Sequence, residues 1–203
     1  MKKYIPIIAI ILFSFTASLA LAQDNASAVV KGIVKPFREK KNVELSFKYH
    51  YVVDGSNLNE DQEGIAYIQG DAYKMLLKEQ ETICDGTTIW THFINEEEVV
   101  ISSTSFGDDN TPLKLFTTID KYYTATFSDK STILLSNPEG QVKKVTLDID
   151  PKKGTLKGMT IYVDDTNLMV ITITEMKYDQ NLKDGFFTFD EKAYPNVDII
   201  DMR

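Results

Sequence analysis

Residues 81–93, Glu-Thr-Ile-Cys-Asp-Gly-Thr-Thr-Ile-Trp-Thr-His-Phe, decide the fold. An Asp-Gly pair between two runs rich in β-branched residues suits a two-residue type I′ turn, in which both central residues have positive φ. The sequence therefore predicts a β-hairpin with Asp85 and Gly86 at its tip. In this register Trp90 lies diagonal to Ile83 on one face of the hairpin. Three apolar residues share the opposite face: Cys84, Ile89 and Phe93.

Alternating apolar residues on both sides of this hairpin predict a meander of consecutive antiparallel strands. The longest alternating run has one wholly apolar and aromatic face, which carries Val43, Leu45, Phe47, Tyr49, Tyr51 and Val53. Further strands are predicted at 64–69, 72–78, 99–102, 124–127, 132–136, 142–150, 155–163 and 168–178. Short closing segments are predicted at 186–189 and 197–200.

Two segments have helical periodicity instead. The first, 24–41, has apolar residues at helical spacing, and Pro36 is expected to end or kink it near Lys35. The second, 113–123, follows Pro112, which is tolerated in the first turn of a helix. Both helices are short and each has a single apolar stripe, so we expect both to pack against the sheet.

The N-terminus is typical of a secretory signal peptide. Lys2 and Lys3 precede a mostly apolar run that ends in Ala20-Leu21-Ala22, and the spacing of the two alanines predicts cleavage after Ala22. The alternative is an uncleaved membrane anchor, which the hydroxyl residues within the run disfavour. Residues 1–22 are therefore expected to be removed, and 23–203 to form one domain. The residue directly after the cleavage point is Gln23 and Cys84 is the one cysteine, so no lipidation is expected.

Composition and motifs exclude several functions. The net charge of −8 becomes −10 when Lys2 and Lys3 are removed, which disfavours nucleic acid as a partner. His50 and His92 lack companions at metal-ligand spacing, and no nucleophile elbow, Walker loop or dinucleotide fingerprint occurs. We therefore expect no metal, no cofactor and no enzymatic activity. A catalytic carboxylate pair is not singled out among the many acidic residues.

Aromatic residues are the unusual feature of the predicted strands, where many of them alternate with polar residues. For any one of them, packing in an ordinary β core is the first interpretation. Together, a strongly bent sheet covered by two amphipathic helices also favours an apolar cavity under a movable lid. Tyrosine suits such a wall because its ring is apolar and its hydroxyl adapts to a polar head group.

At this point the chain resembles the LolA-like outer-membrane lipoprotein carriers. Five features in the family's order carry the resemblance: a signal peptide followed by one helix and a strand with Phe47, Gly64-x-x-Tyr67, the hairpin 85–90, the helix start at 110–113, and the ending 187–199 with its Phe-Thr-Phe triplet. The likeness spans essentially the whole mature chain.

The resemblance implies a mainly β fold, an unclosed antiparallel barrel or highly curved sheet with a helical lid over a hydrophobic cavity. It also implies a monomeric periplasmic carrier that receives acylated lipoproteins from an inner-membrane ABC transporter of the lipoprotein-releasing type and passes them to an outer-membrane acceptor. The alternative is a carrier or sensor of another lipid on the same scaffold. The candidate cavity and lid residues are Ile33, Phe37, Phe47, Tyr49, Tyr51, Tyr67, Tyr73, Met75, Trp90, Leu113, Leu115, Phe116 and Ile119.

One departure from the family concerns the lid. Proteobacterial members carry an Arg-Pro pair just after the Gly-x-x-aromatic strand, and that arginine holds the lid shut. This chain has Gly70 and Asp71 at the corresponding place. The resemblance therefore implies a lid without the family's way of holding it closed.

Overall fold

A computed structural model describes residues 25–58, 61–104 and 112–203. The predicted signal peptide lies outside the described residues. The strands are β1 (Val43–Val53), β2 (Ser56–Asn57), β3 (Gln62–Gln69), β4 (Ala72–Leu76), β5 (Gln80–Cys84), β6 (Thr88–Phe93), β7 (Glu98–Ser103), β8 (Thr124–Phe127), β9 (Thr132–Ser136), β10 (Lys144–Ile149), β11 (Leu156–Tyr162), β12 (Leu168–Tyr178) and β13 (Asp198–Asp201). The helices are α1 (25–39) and α2 (Pro112–Tyr122), followed by a 3-10 turn at Glu191–Ala193.

All thirteen strands join one highly curved sheet in the order β13-β7-β6-β5-β4-β3-β1-β12-β11-β10-β9-β8, with β2 paired to β1. Among the described strands β8 and β13 form the two edges, so the sheet is unclosed and the predicted fold class is confirmed. Not every pair is antiparallel, because β13 runs parallel to β7. The chain between Ser103 and Asp198 is long enough to return to the end of the sheet where β7 begins, so β13 runs in the same direction as β7.

The central strand β1 is formed by the longest alternating run of the sequence. It pairs with β3 on one side and β12 on the other, with a bulge where β12 passes Ser46 and Phe47. The expected apolar face of β1 is buried as far as Tyr49. Towards the end of the strand Tyr51 is 41% exposed and Val53 is 38% exposed. The apolar face therefore begins in the core and ends at solvent.

Both helices pack on the same face of the sheet, here called the inner face, as the sequence predicts. Val30, Val34 and Phe37 of α1 join the main core cluster with β1 and with α2. Of the two alternatives for Pro36, the one in which it ends α1 near Lys35 is wrong: the helix continues to residue 39, and the amide of Lys40 donates to the Pro36 carbonyl over 3.0 Å. Phe37 is only 2% exposed, so its burial favours continuation of the helix past the proline. Within the described ranges no helix is long and apolar enough to cross a membrane.

The hairpin at 81–93 forms, but its tip differs from the prediction. Gly86 has a φ of 101°, whereas Asp85 is not among the residues with positive φ. The Asp85 carboxylate instead accepts hydrogen bonds from the amides of Thr87 and Thr88, each over 2.8 Å. Asp85 is thus held before the tip, and Gly86 and Thr87 make the turn. Ile83 consequently lies directly opposite Trp90, not diagonal to it, although the expected faces are confirmed.

The opposite side of the sheet, here called the outer face, is covered by the C-terminal segment 180–197. Phe189 forms a second buried cluster there with three strand residues, Ile83, Val99 and Ile101. Of the two predicted closing segments, 197–200 largely coincides with β13, whereas 186–189 forms a turn on the outer face.

Candidate hydrophobic cavity

A cavity of about 130 Å³ lies between α2 and the inner face near the middle of the sheet. Nearly all of its lining side chains are apolar: Leu45, Phe47, Tyr51, Met75, Leu77, Gln80, Leu113, Phe116, Met169, Ile171 and Ile173. Only the hydroxyl of Tyr51 and the amide of Gln80 bring polar side-chain atoms to this wall. The cavity is therefore suited to an apolar guest with a polar group at its entrance.

The floor of the cavity follows from the pairing of β1 with β12. Phe47 lies opposite Ile173, and Tyr51 lies opposite Met169. Since side chains alternate across a strand, every second residue of both strands faces α2. The two alternating sequences thus meet in one apolar surface.

Gly64 in β3 positions the largest side chain of this floor. It pairs with Phe47, and a Cβ at Gly64 would lie 2.5 Å from Cζ of the Phe47 ring and 2.8 Å from Cδ2 of Leu77. Contacts this short do not occur between real atoms. The absence of a side chain at Gly64 therefore lets the Phe47 ring lie against the β3 backbone.

The roof of the cavity is α2, which is bound to α1. Phe116 stacks on Phe37 with ring centroids 5.1 Å apart. Beside this pair, Arg38 donates to the Thr117 carbonyl from Nη2 over 2.6 Å and to Oδ2 of Asp120 from Nη1 over 2.9 Å. The Asp120 side chain is only 9% exposed. An arginine of α1 thus ties α2 down.

Two tyrosines follow Phe47 on the inner face of β1: Tyr49 is buried and Tyr51 is partly exposed. The Tyr49 hydroxyl donates to Oε1 of Gln62 over 2.7 Å, and its ring contacts Tyr51 edge-on. Burial, followed by the charges near it on Tyr51 and Glu79, raises the pKa of Tyr49 above its ordinary value. The Tyr49 phenol is therefore neutral at physiological pH, and the core beside the cavity remains uncharged at this residue.

The structure brings most of the predicted site residues to the inner face. Five of them line the cavity: Phe47, Tyr51, Met75, Leu113 and Phe116. Six others pack in the core around it: Ile33, Phe37, Tyr49, Tyr73, Leu115 and Ile119. Tyr73 also lines a smaller pocket of about 60 Å³ at the start of α2. Whether these residues bind a ligand stays a prediction.

Tyr67 and Trp90 do not line the cavity, and the expectation for these two is wrong. Tyr67 pairs with Glu44 and contacts Phe186 on the outer face, with ring centroids 4.9 Å apart. Trp90 packs on the outer cluster with Ile83. Aromatic residues alternate on both faces of this sheet, so aromatic character alone did not identify the inner face.

The sequence interpretation missed six of the eleven lining residues. The missed residues are Leu45, Leu77, Gln80, Met169, Ile171 and Ile173. Three of these are alternate residues of β12, and the alternation in 168–178 was the available signal. The sequence did not show that β12 pairs with β1, because the two strands are more than a hundred residues apart in the chain.

Ionisable side chains meet on the outer face, under the C-terminal segment. Nζ of Lys74 lies 2.6 Å from Oε1 of Glu81, and the Tyr194 hydroxyl donates to Oε2 of Glu81 over 2.9 Å. The His92 ring contacts the Tyr194 ring edge-on. Glu81 is 8% exposed and its charge is fully partnered, so this cluster attaches the C-terminal segment to the sheet. Over the described residues, no group of three His, Cys, Asp or Glu side chains could hold a metal ion.

Solved structures with this fold have little sequence identity to the chain. An uncharacterized conserved protein from Thermus thermophilus aligns with a TM-score of 0.55 at 10% identity, over 87% of this chain and 99% of that one. A DUF1329 family protein from Desulfovibrio piger gives 0.50 at 9% identity, over 85% and 99%. A LolA superfamily protein from Nitrosomonas europaea gives 0.45 at 10% identity, over 82% and 98%.

The comparison with curated proteins gives no match. The model of one family, described as outer membrane lipoprotein carrier protein LolA, matches residues 77–190. This match covers more than half of the chain, from the end of β4 to the segment on the outer face. It includes both the hairpin at 81–93 and the helix α2 that roofs the cavity. The chain therefore belongs to the LolA family of outer membrane lipoprotein carrier proteins.

Proposed function

We propose that this protein is a periplasmic carrier that binds the acyl chains of a lipoprotein in the cavity under α2 and shuttles them from the inner to the outer membrane. The observation that carries the proposal is the lining of the cavity, which is apolar apart from Tyr51 and Gln80 at its entrance. Family membership supports the same class of ligand. Such a carrier makes and breaks no covalent bond.

The energetics favour acyl chains as the guest. Burial of each methylene group is worth about 0.8 kcal/mol, so a chain of ten methylenes gains up to about 8 kcal/mol. Release into water would forfeit this free energy. A carrier of this kind therefore has to hand its guest to another apolar site, and the proposal includes a donor and an acceptor: the inner-membrane lipoprotein-releasing transporter and an outer-membrane protein.

The size of the cavity requires α2 to move. An apolar cavity of about 150 Å³ accommodates a molecule the size of benzene. The cavity of about 130 Å³ is comparable, so it holds only a few carbons of a chain. A full chain enters when α2, with Leu113 and Phe116, lifts from the inner face. In this proposal the ties from Arg38 to α2 oppose that movement and the buried chain compensates for their loss.

A carrier or sensor of another lipid is the second candidate. Gly70 and Asp71 at the place of the family's arginine favour it, because the chain departs from the family at a position linked to lid closure. Both candidates use the same cavity. Mass spectrometry of lipids and acylated proteins that co-purify with the mature protein distinguishes them: a lipoprotein supports the first, and a free lipid supports the second.

Filling the cavity tests the proposal. Ile173 lines it, whereas its neighbour Thr172 is exposed on the outer face. We expect Ile173→Trp to weaken binding of a decanoyl-serine peptide at least about tenfold, because the indole occupies the volume that the chain needs. Thr172→Trp should bind as the parent does. Equal binding by both variants, with both folded by circular dichroism, would show that acyl chains bind elsewhere.

A further inference from the structure

We infer that the acyl group taken by the cavity is attached to a cationic polypeptide segment, which the acidic turns around the cavity entrance attract. This inference rests on the proposed function, because it specifies the chemistry of the molecule that carries the acyl group. Two observations support it: the position of the entrance within the sheet, and the charges of the turns on either side of the sheet.

The entrance lies at one end of the strands. Tyr51 is near the end of β1, Met169 is at the start of β12, and Leu77 and Gln80 flank the β4–β5 turn. Antiparallel pairing brings these positions together. We call the connections at this end the entrance turns: 54–55, 77–79, 94–97, 137–143 and 163–167. Five described connections at the other end are the far turns: 40–42, 70–71, 85–87, 128–131 and 150–155.

The two sets of turns differ in charge. The entrance turns contain seven carboxylates and two lysines: Asp54, Glu79, Glu96, Glu97, Glu139, Asp164 and Asp165, with Lys78 and Lys143. The far turns contain four carboxylates and five lysines: Asp71, Asp85, Asp129 and Asp150, with Lys40, Lys41, Lys130, Lys152 and Lys153. Asp179, which follows β12 at the same end and pairs with Lys40, adds a fifth carboxylate. Among these described turns, the excess of negative charge is therefore at the end where Tyr51 and Gln80 line the cavity.

Hydrogen bonds place these carboxylates in neighbouring turns. The amide of Ile94 donates to the Glu79 carbonyl over 3.0 Å, which joins the turns that carry Glu79 and Glu96. On the other side of the entrance, Nδ2 of Asn167 donates to Oδ2 of Asp164 over 2.7 Å. Hydrogen bonds from Asn167 and the following amides lower the pKa of Asp164 to about 2. Both sides of the entrance therefore carry negative charge at neutral pH.

Little of this charge is neutralised locally. Within the part of the chain that the structure describes, no ion pair engages the carboxylates of Glu79, Glu96 or Glu97, and all three residues are exposed. Lys78 shares a turn with Glu79, and Lys144 lies over the Tyr162 ring near Asp164, which reduces the excess without cancelling it. Like charges around an apolar opening focus the field there, so a cationic flank is attracted and an anionic one is repelled.

Three decanoyl peptides that differ only in their flank test this inference: one with four lysines, one with four serines and one with four glutamates. Isothermal titration with the mature protein should give the order lysine, serine, glutamate. At an ionic strength of about 20 mM the lysine peptide should bind at least about fivefold tighter than the serine peptide, and the preference should shrink at about 500 mM. Equal binding of all three peptides would overturn the inference and leave the proposed function intact.

A charge reversal at the entrance gives the matched variant. Glu79→Lys should reduce the ratio of lysine-peptide to serine-peptide affinity at least about threefold. Asp184→Lys changes the net charge equally, but Asp184 lies in the C-terminal segment on the outer face, so the preference should remain. Equal loss in both variants would mean that net charge alone acts, which contradicts a role for the entrance. If no peptide binds, the proposed function fails and this inference fails with it.

Discussion

Arg38 and Asp120 join the two helices of the protein: Nη1 of Arg38 in α1 donates to Oδ2 of Asp120 in α2 over 2.9 Å. The same guanidinium donates to the Thr117 carbonyl from Nε and Nη2. A guanidinium that bonds to a carboxylate and a carbonyl at once has a fixed orientation. The two helices therefore move as one layer or separate by breaking this contact.

Removal of Arg38 should loosen α2. Arg38→Ala is expected to lower the opening free energy of α2 by about 1 kcal/mol after screening by solvent, which corresponds to roughly fivefold faster amide exchange in 112–122. The strands around Trp90 should exchange as in the parent, and in both proteins addition of an acylated peptide should slow exchange in α2. Lys35→Ala is the control, because the Lys35–Glu39 pair on the same helix is largely exposed. Unchanged exchange in Arg38→Ala would show that this contact does not hold α2.

A methyl group at Gly64 should disturb the floor of the cavity. The added Cβ would meet the Phe47 ring at 2.5 Å, so Gly64→Ala is expected to reduce the free energy of unfolding by about 1–3 kcal/mol and to displace the ring. Gly32→Ala is the matched control, because a Cβ at Gly32 meets nothing within 4 Å and alanine stabilises a helix by about 0.5–1 kcal/mol. Urea denaturation measures both. A stable Gly64→Ala protein would contradict the assigned position of Phe47.

The bond between Tyr194 and Glu81 should make stability fall at high pH. Burial, followed by the Glu81 carboxylate, raises the pKa of Tyr194 above 10. The folded protein therefore keeps this proton when the unfolded chain has lost it, and the stabilisation is complete below about pH 10 and lost as the pH rises through the folded pKa. Tyr194→Phe should cost about 1 kcal/mol at pH 7 and should show a smaller loss between pH 9 and pH 11 than the parent.

Tyr122→Phe is the control for that experiment, because the Tyr122 ring is 65% exposed. Its unfolding free energy should follow the parent at each pH. If Tyr194→Phe loses as much stability as the parent between the two pH values, another group is responsible for the alkaline dependence.

Cys84 should react slowly with thiol reagents in the folded protein. Its side chain is fully buried opposite Ile89, and its Sγ lies within 3.8 Å of the Asp71 carbonyl oxygen. The thiolate is the reactive form, and a buried site lacks the solvent that stabilises it. Labelling with an aromatic disulfide should therefore become fast only in urea. Fast labelling without denaturant would contradict the placement of the hairpin end.

Local sequence patterns predicted most of the strands. A strand with one buried face needs an apolar residue at every second position, whatever packs against that face. The same patterns did not distinguish the two faces of the hairpin strands, since Ile83 and Trp90 on one face and Cys84 and Ile89 on the other are all apolar. The aromatic strands and the two amphipathic helices favoured a bent sheet with a lid over a cavity, and the family resemblance implied the same architecture.

Contacts between distant residues could not be predicted. Arg38 and Asp120 are 82 positions apart, and Tyr194 and Glu81 are 113 positions apart. Neither pair belongs to a motif, so their partners follow only from the strand order. The prediction of the hairpin tip was wrong for a local reason. The Asp85 carboxylate accepts hydrogen bonds from the amides of the turn, which places Asp85 before the two turn residues.

Photochemical cross-linking tests the central claim most directly. A decanoyl-serine peptide with a diazirine at the end of its acyl chain is bound to the mature protein and the complex is irradiated. Peptide mass spectrometry then identifies the cross-linked residues of the protein. The account predicts adducts on the cavity lining, above all on Met75, Met169 and Phe116, and their loss when unlabelled peptide competes. Adducts confined to the outer face, around Trp90 and Ile83, would contradict the claim that the cavity under α2 binds the acyl chain.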